Sequence, residues 1–362
     1  MKKIILAIIV CHVSLYSLAQ KLKPGFDINE YKECLCMASH FKELPGIDSM
    51  YFSPKPTTFT KRWISPVVGF DNQWELWENR DSILAISIRG SVTTPISWMG
   101  NFHAGMVASN GKYTLGKEYD YSLCDNTDAS VHAGWLGGML SLSESILNKI
   151  DSCHALGYRD FILTGHSQGG AITYLLTAYL RELQNTQKLP SDITFKTYCS
   201  AAPKPGDYAF ACMYEYMTRG GWAYNVVNAD DWVPETPLSV QTINDFRKTN
   251  PFNRIDQLTD TLRFADKFKI KFLFNTLGKP GFKTEDKLQK YLGNVLGSML
   301  KDLKPEYVIP SFRDCANYAR CGHTIILMPD KEYHLKHPKD AKDIFEHHMF
   351  LAYWELANKY NE

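Results

Sequence analysis

The stretch Phe161-Ile162-Leu163-Thr164-Gly165-His166-Ser167-Gln168-Gly169-Gly170-Ala171-Ile172-Thr173-Tyr174-Leu175-Leu176 decides the fold. Its opening residues are apolar or β-branched and read as a buried strand, and its last six read as an apolar helical run. Ser167 stands in the turn between them. A serine held in so sharp a turn needs neighbours without side-chain bulk, and glycines stand two residues before it and two and three after it. The Gly-x-Ser-x-Gly pattern alone arises by chance in roughly one chain in ten of this length, so the flanking strand and helix carry the reading. In that setting the Ser167 hydroxyl projects into the open. The amide of Gln168, first in the helix, points where an oxyanion would form.

Outward from this turn, short apolar runs at 83–88, 193–199, 224–228 and 324–328 read as further strands, with helical patterns at 140–156 and 171–183. Strands alternating with helices predict an α/β protein with a mostly parallel, doubly wound sheet. With 362 residues, 44% hydrophobic and 13% aromatic, the chain can bury a large core as one domain over 20–362. The region at about 241–310 breaks the alternation. There Leu288, Tyr291, Leu292, Val295, Leu296, Met299, Leu300 and Leu303 recur at helical spacing, and Phe268, Ile270, Phe272 and Phe274 alternate with Lys267, Lys269 and Lys271. This predicts a largely helical insertion, read either as packing on the main domain or as a cap whose apolar face meets lipid.

The first residues, MKKIILAIIVCHVSLYSLAQ, carry two lysines, an apolar run and then Ser17-Leu18-Ala19, the layout of a signal peptide over 1–19 that is removed on export. Without Lys2 and Lys3, 38 basic side chains face 39 acidic ones, so nothing in the charge favours nucleic acid. No later segment is apolar enough for a transmembrane anchor. Eight cysteines remain after cleavage. Cys315 and Cys321 read as the best placed for a local disulfide, Cys34 and Cys36 as poor partners for each other, and Cys153, Cys199 and Cys212 as buried thiols. No Cys-x-x-Cys pair suggests a metal.

A serine nucleophile needs a histidine to take its proton and a carboxylate to hold that histidine. Asp230 and Asp231, in Tyr224-Asn225-Val226-Val227-Asn228-Ala229-Asp230-Asp231-Trp232-Val233-Pro234, fall where a strand ends, on the sheet edge that carries Ser167. His166 neighbours Ser167, yet its side chain should point away from it. Downstream stand His323, His334, His337, His347 and His348. Ser91 follows a strand and a glycine, a place suited equally to an oxyanion donor and to a turn-capping serine.

Four blocks in order resemble the class 3 lipases, α/β-hydrolases that include secreted triacylglycerol lipases and plant-type phospholipases A1. They are Ile88-Arg89-Gly90-Ser91 with Trp98 after it, Val131-His132-Ala133-Gly134-Trp135, the turn around Ser167, and Val227-Asn228 with Asp231 and Val233-Pro234. The likeness covers about 84–237 and the C-terminal end, and not the insertion. It implies Ser167, Asp231 and His348 as the catalytic residues, His348 being preferred to His347 because it precedes Tyr353 by five residues. It also implies Ser91 and Gln168 as the oxyanion hole, a structural role for His132, and no metal or cofactor. Gln168 departs from the leucine most members carry. The expected function is exported hydrolysis of a lipid ester, at a membrane or micelle interface. A non-lipid esterase of feruloyl type and a catalytically silent binding protein of the same fold are the alternatives.

Overall fold

Seven strands, Phe59–Ile64, Trp74–Asn79, Leu84–Ile88, Asp160–His166, Thr194–Ser200, Ala223–Asn228 and His323–Leu327, lie side by side in chain order in the computed structural model. It describes residues 20–41, 53–250, 259–260 and 263–360, and the signal-peptide segment 1–19 lies outside these. The first three strands are antiparallel to one another. From Leu84–Ile88 onward each new neighbour is parallel.

Successive strand residues point to opposite faces, and in Leu84–Ile88, Asp160–His166 and Ala223–Asn228 both faces are buried. Leu84, Ile86, Ile88, Phe161 and Leu163 pack with Leu136, Met139, Leu175 and Leu176 from the helices Ala133–Ala155 and Gln168–Asn185. Ala85 and Ile162 turn the other way, onto Tyr31, Leu35, Tyr353 and Leu356 from the helices Ile28–Ser39 and Phe350–Lys359. The terminal helices therefore supply the second layer of this doubly wound α/β fold. The five strands expected from apolar runs are all present. Trp74–Asn79 escaped that reading because the buried Glu75 interrupts its apolar pattern. Lys61 Nζ lies 2.6 Å from that carboxylate and the Trp77 indole N–H donates to it at 3.1 Å, which offsets the cost of burying the charge.

The cysteines depart from expectation. All eight described cysteines are free thiols, Cys315 and Cys321 included. The strand Tyr318–Ala319 pairs with Gly206–Asp207 between them, and the two sulfurs have different surroundings. Cys315 lies 3.4 Å from an Asp245 oxygen, whereas Cys321 is buried in the main core. Cys34 and Cys36 sit in the helix Ile28–Ser39.

The insertion is helical, with Phe264–Leu288 followed by a π-helical stretch Gln289–Val295 and the helix Leu296–Leu303. The alternating phenylalanines and lysines are thus wound at helical period. Among the described residues no helix is long and apolar enough to cross a membrane. Glu285, buried near Thr242, has its carboxyl pushed up to about 7, first by burial and then by Asp245 and Asp314. A carboxyl raised in the folded state gives stability that is complete below its unfolded value and is lost as pH rises through the folded one. Glu285→Gln should therefore melt at a higher temperature than wild type at about pH 8, with the difference vanishing toward about pH 4. Thermal unfolding followed across that range checks it, and equal melting curves at both ends would contradict it.

Candidate active site

The carboxyl ends of the parallel strands bring the candidate residues to one edge. Ser167 closes Asp160–His166 with φ +58° and ψ −128°, a conformation that a non-glycine residue holds only when its surroundings enforce it. A Cβ on Gly165 would come 2.4 Å from the Gly169 backbone, and one on Gly169 would come 2.2 Å from the Ile88 carbonyl oxygen. Both positions therefore admit only glycine. The Ser167 N–H donates to the Ser200 carbonyl at 2.9 Å and its own carbonyl accepts from Ala171 N–H at 3.1 Å, which locks the turn to the next strand and to the first helical turn. Gln168 opens the helix, so its N–H has no carbonyl one turn back and remains available to an anion.

Asp231 and His348 meet across the loop ends. His348 Nδ1–H donates to Asp231 Oδ2 at 2.8 Å, the Tyr353 hydroxyl donates to the same oxygen at 2.7 Å, and the Val233 N–H donates to Oδ1 at 2.9 Å. The imidazole is 5% exposed and the carboxylate residue 3%. With the proton on Nδ1, Nε2 carries the lone pair that a base needs. Ser167 and His348 line one cavity. Among the described residues the Ser167 hydroxyl makes no hydrogen bond, and its bond to the base commonly tightens only when substrate is bound.

The competing residues are engaged elsewhere. Asp230 lies 2.7 Å from His334 Nε2. His347 Nδ1 lies 2.8 Å from the Tyr333 hydroxyl and its Nε2 lies 3.1 Å from the Pro338 carbonyl. His323 is exposed at the start of the last strand. His132 is structural: its Nδ1 accepts the Trp135 N–H at 3.2 Å, and its Nε2–H donates to the Asn101 carbonyl at 3.0 Å.

His166 points away from Ser167, but it is not idle. Its Nε2–H donates to the His348 carbonyl at 2.8 Å, and its Nδ1 accepts from Ser200 Oγ, 3.0 Å away, which in turn lies 2.8 Å from the Tyr31 hydroxyl. Burial, and then the nearby His348, hold its pKa well below the usual imidazole range, so it stays neutral and ties the base's backbone to the nucleophile strand. No sequence signal marked this bond, because the acceptor is a main-chain atom 182 residues away.

Ser91, Trp135 and Gln168 are tied together by Asn101, which the sequence did not flag. The Trp135 indole nitrogen is only a donor, and it lies 3.0 Å from Asn101 Oδ1, so that atom is the carbonyl oxygen. Gln168 Nε2 donates to the same oxygen at 2.8 Å. Asn101 Nδ2 therefore faces Ser91 and donates to its Oγ at 2.8 Å. The Ser91 hydroxyl, already an acceptor from Asn101, keeps its own proton for another acceptor. Gln168 is thereby part of the support for Ser91. Arg89 fixes the same loop through Gln73 at 2.7 Å and the Asp71 carbonyl at 2.8 Å.

This predicts that Ser91→Ala lowers kcat by ~10²–10³, and that Asn101→Ala produces a smaller loss of kcat with KM nearly unchanged. The support matters chiefly once charge develops on the substrate oxygen. Steady-state kinetics on a soluble ester check both. A rise in KM alone would contradict the assignment.

The cavity these residues line has a volume of about 470 Å³. Its walls are mainly apolar, from Trp98, Phe102, Trp232, Leu238, Leu292 and Phe345. Trp98 and Phe102 stack at 5.9 Å, and Phe345 lies within 6.0 Å of Trp98 and 5.5 Å of Trp232, forming an aromatic rim. Phe102, Trp232 and Leu238 are exposed. Among the described residues no group of three or more His, Cys, Asp or Glu is placed to hold a metal ion.

Residues 85–241 match the family described as Lipase (class 3). A secreted mono- and diacylglycerol lipase 1 of Fusarium solani is 26% identical over 176 residues, which is 48% of this chain and 44% of that protein. The chain thus spans less than half the length of this relative. Among solved structures, a fungal lipase in complex with an inhibitor is 20% identical with a TM-score of 0.44, covering 58% of this chain and 74% of its own. The triacylglyceride lipase of Rhizomucor miehei is 20% identical with a TM-score of 0.42, covering 59% and 77%.

Proposed function

We propose that this chain, whose residues 85–241 match the class 3 lipase family, hydrolyses carboxylic esters of lipids through an acyl-serine intermediate. The observation that carries the reading is the buried Asp231–His348 pair, 2.8 Å apart, of which His348 lines one apolar cavity with Ser167. Ser167 Oγ attacks the ester carbonyl carbon as His348 Nε2 takes its proton, and Asp231 stabilises the imidazolium. The negative oxygen of the tetrahedral intermediate is bound by the Ser91 hydroxyl and by the amides of Ser91 and Gln168. Collapse breaks the ester C–O bond, and His348 returns the proton to the departing alcohol. Water then attacks the acyl-serine with His348 again as base, releasing the fatty acid and Ser167.

The aromatic walls favour an acyl chain over a polar group, which supports acylglycerols or phospholipids as substrates. The apolar rim supports work at a membrane or micelle interface. In this reading residues 20–362 form one hydrolase domain capped by the insertion at about 241–310, and the leader 1–19 exports it, in keeping with the secreted Fusarium solani relative. The test is a series of monoesters of increasing acyl length, followed by acylglycerol emulsions and phospholipid vesicles. Rates should rise with chain length and with substrate aggregation. A preference for short or feruloyl esters would replace the lipid assignment with a non-lipid esterase, and no turnover of any ester would leave a silent binding protein.

A further inference from the structure

The helical insertion carries surface that the hydrolase chemistry does not explain. Phe264, Phe268 and Phe272 are 87%, 65% and 64% exposed. Spaced four residues apart, they lie along one face of the helix Phe264–Leu288. Three phenyl rings left in water on one stripe are an unfavourable arrangement unless something covers them. The exposed Lys279 and Lys283 continue the stripe along the same helix. Over 263–304 there are ten lysines and arginines against four aspartates and glutamates, a balance of +6. The whole chain totals +1, so everything else carries −5. The positive charge of the molecule is thus gathered on the run 263–304, whose first helix, Phe264–Leu288, exposes the aromatic rings and itself carries six lysines against three acidic residues.

We propose that this helix docks the protein onto an anionic lipid surface, with Phe264, Phe268 and Phe272 entering the boundary between headgroups and acyl chains and the lysines pairing with lipid phosphates. A second copy of the same helix fits poorly, because it would bring a net positive helix against a net positive helix, six lysines to three acidic residues on each. Anionic lipid supplies both the apolar layer and the opposite charge. Long lysine side chains also lie along an apolar surface while their ammonium groups reach the phosphates.

The placement suits the reading of the cavity as a lipid-ester site, on which the biological sense of this docking rests. The same helical run leads into Gln289–Val295, where Leu292 lines the cavity. The Leu292 carbonyl accepts from His103 Nδ1–H at 3.1 Å. His103, whose pKa burial pushes down to about 4, stays neutral and accepts at Nε2 from the Tyr307 hydroxyl, 2.7 Å away. This tie between the insertion and the hydrolase core therefore holds across the neutral pH range. Docking through this helix would bring the cavity mouth, with its exposed Phe102, Trp232 and Leu238, close to the bilayer.

The experiment uses the full chain and vesicles of ether-linked phosphatidylcholine, with and without ether-linked phosphatidylglycerol, which cannot be hydrolysed at an ester bond. Co-sedimentation should show binding that requires phosphatidylglycerol and falls as salt is raised. A Lys269→Gln/Lys279→Gln/Lys283→Gln variant should bind about a hundredfold more weakly, because three ammonium groups no longer attract the anionic surface. A Phe264→Ser/Phe268→Ser/Phe272→Ser variant should also lose binding. Both should hydrolyse a short soluble ester like wild type, which shows that they are folded. Equal binding to both vesicle types, binding insensitive to salt, or unchanged binding by the two variants overturns the proposal. So does self-association in ultracentrifugation that the same substitutions abolish, since that would make a second copy the occupant. If the wild type binds anionic vesicles but hydrolyses no ester, the docking stands and the hydrolase reading fails.

Discussion

Ser167→Ala lowers turnover of any ester substrate by on the order of 10⁶ while leaving the fold intact. The size follows from what the serine does. Without its oxygen no acyl-enzyme forms, and the oxyanion donors and the cavity can assist only direct attack by water. The fold survives because the turn is held by main-chain bonds from Ser167 N–H to Ser200 and from Ala171 N–H to the Ser167 carbonyl, and alanine keeps both. Alanine takes the φ of +58° with the same Cβ that serine already carries there, so the melting temperature should be close to that of wild type. Steady-state assay with a chromogenic ester, alongside thermal melting, separates the two effects. Retention of more than a small fraction of activity would place the nucleophile elsewhere.

The second large effect distinguishes two adjacent histidines. His348→Ala should lose activity to about the same extent as Ser167→Ala, because nucleophile and base act as a unit and removing either disables both. His347→Ala should keep most of the activity. Its side chain touches Tyr333 and Pro338, while the Asn228 amide is held by its backbone carbonyl at 2.8 Å, which alanine retains. Its cost should appear in stability, at about 1 kcal/mol for each of the two missing side-chain hydrogen bonds. The same assay applied to both variants decides it. A swap of the two behaviours would shift the base by one residue.

How far the site was legible depends on what kind of physics placed each residue. The Ser167 turn was readable because its constraint is steric and local: glycines at 165 and 169 are required by close approaches of 2.4 and 2.2 Å, and the flanking strand is buried throughout. Leu84–Ile88 and Asp160–His166 were readable because burial on both faces makes them apolar runs. Asp231 and His348 needed the family blocks, since a neighbouring Asp230 and His347 offer the same chemistry one residue away.

Other features had no local signal. Asn101 lies at the end of the short helix Pro95–Phe102 in no recognisable motif, and its importance comes from partners at positions 91, 135 and 168. The helix Ile28–Ser39 was missed although Asp27 caps it, accepting from Asn29 N–H at 2.8 Å, and its apolar side completes the second face of the sheet. Sequence spacing suggested a bridge between Cys315 and Cys321, but spacing carries no information about the strand pairing that separates them.

Ser167 as an activated nucleophile is the claim on which the rest depends, and it is tested most directly by an alkyl fluorophosphonate, followed by peptide mapping of the modified protein. One adduct is expected per chain, on Ser167. The rate should fall sharply in His348→Ala, because the hydroxyl then lacks its base, and no adduct should form in Ser167→Ala. Modification of another serine, or an unmodified protein that still hydrolyses esters, would contradict the account.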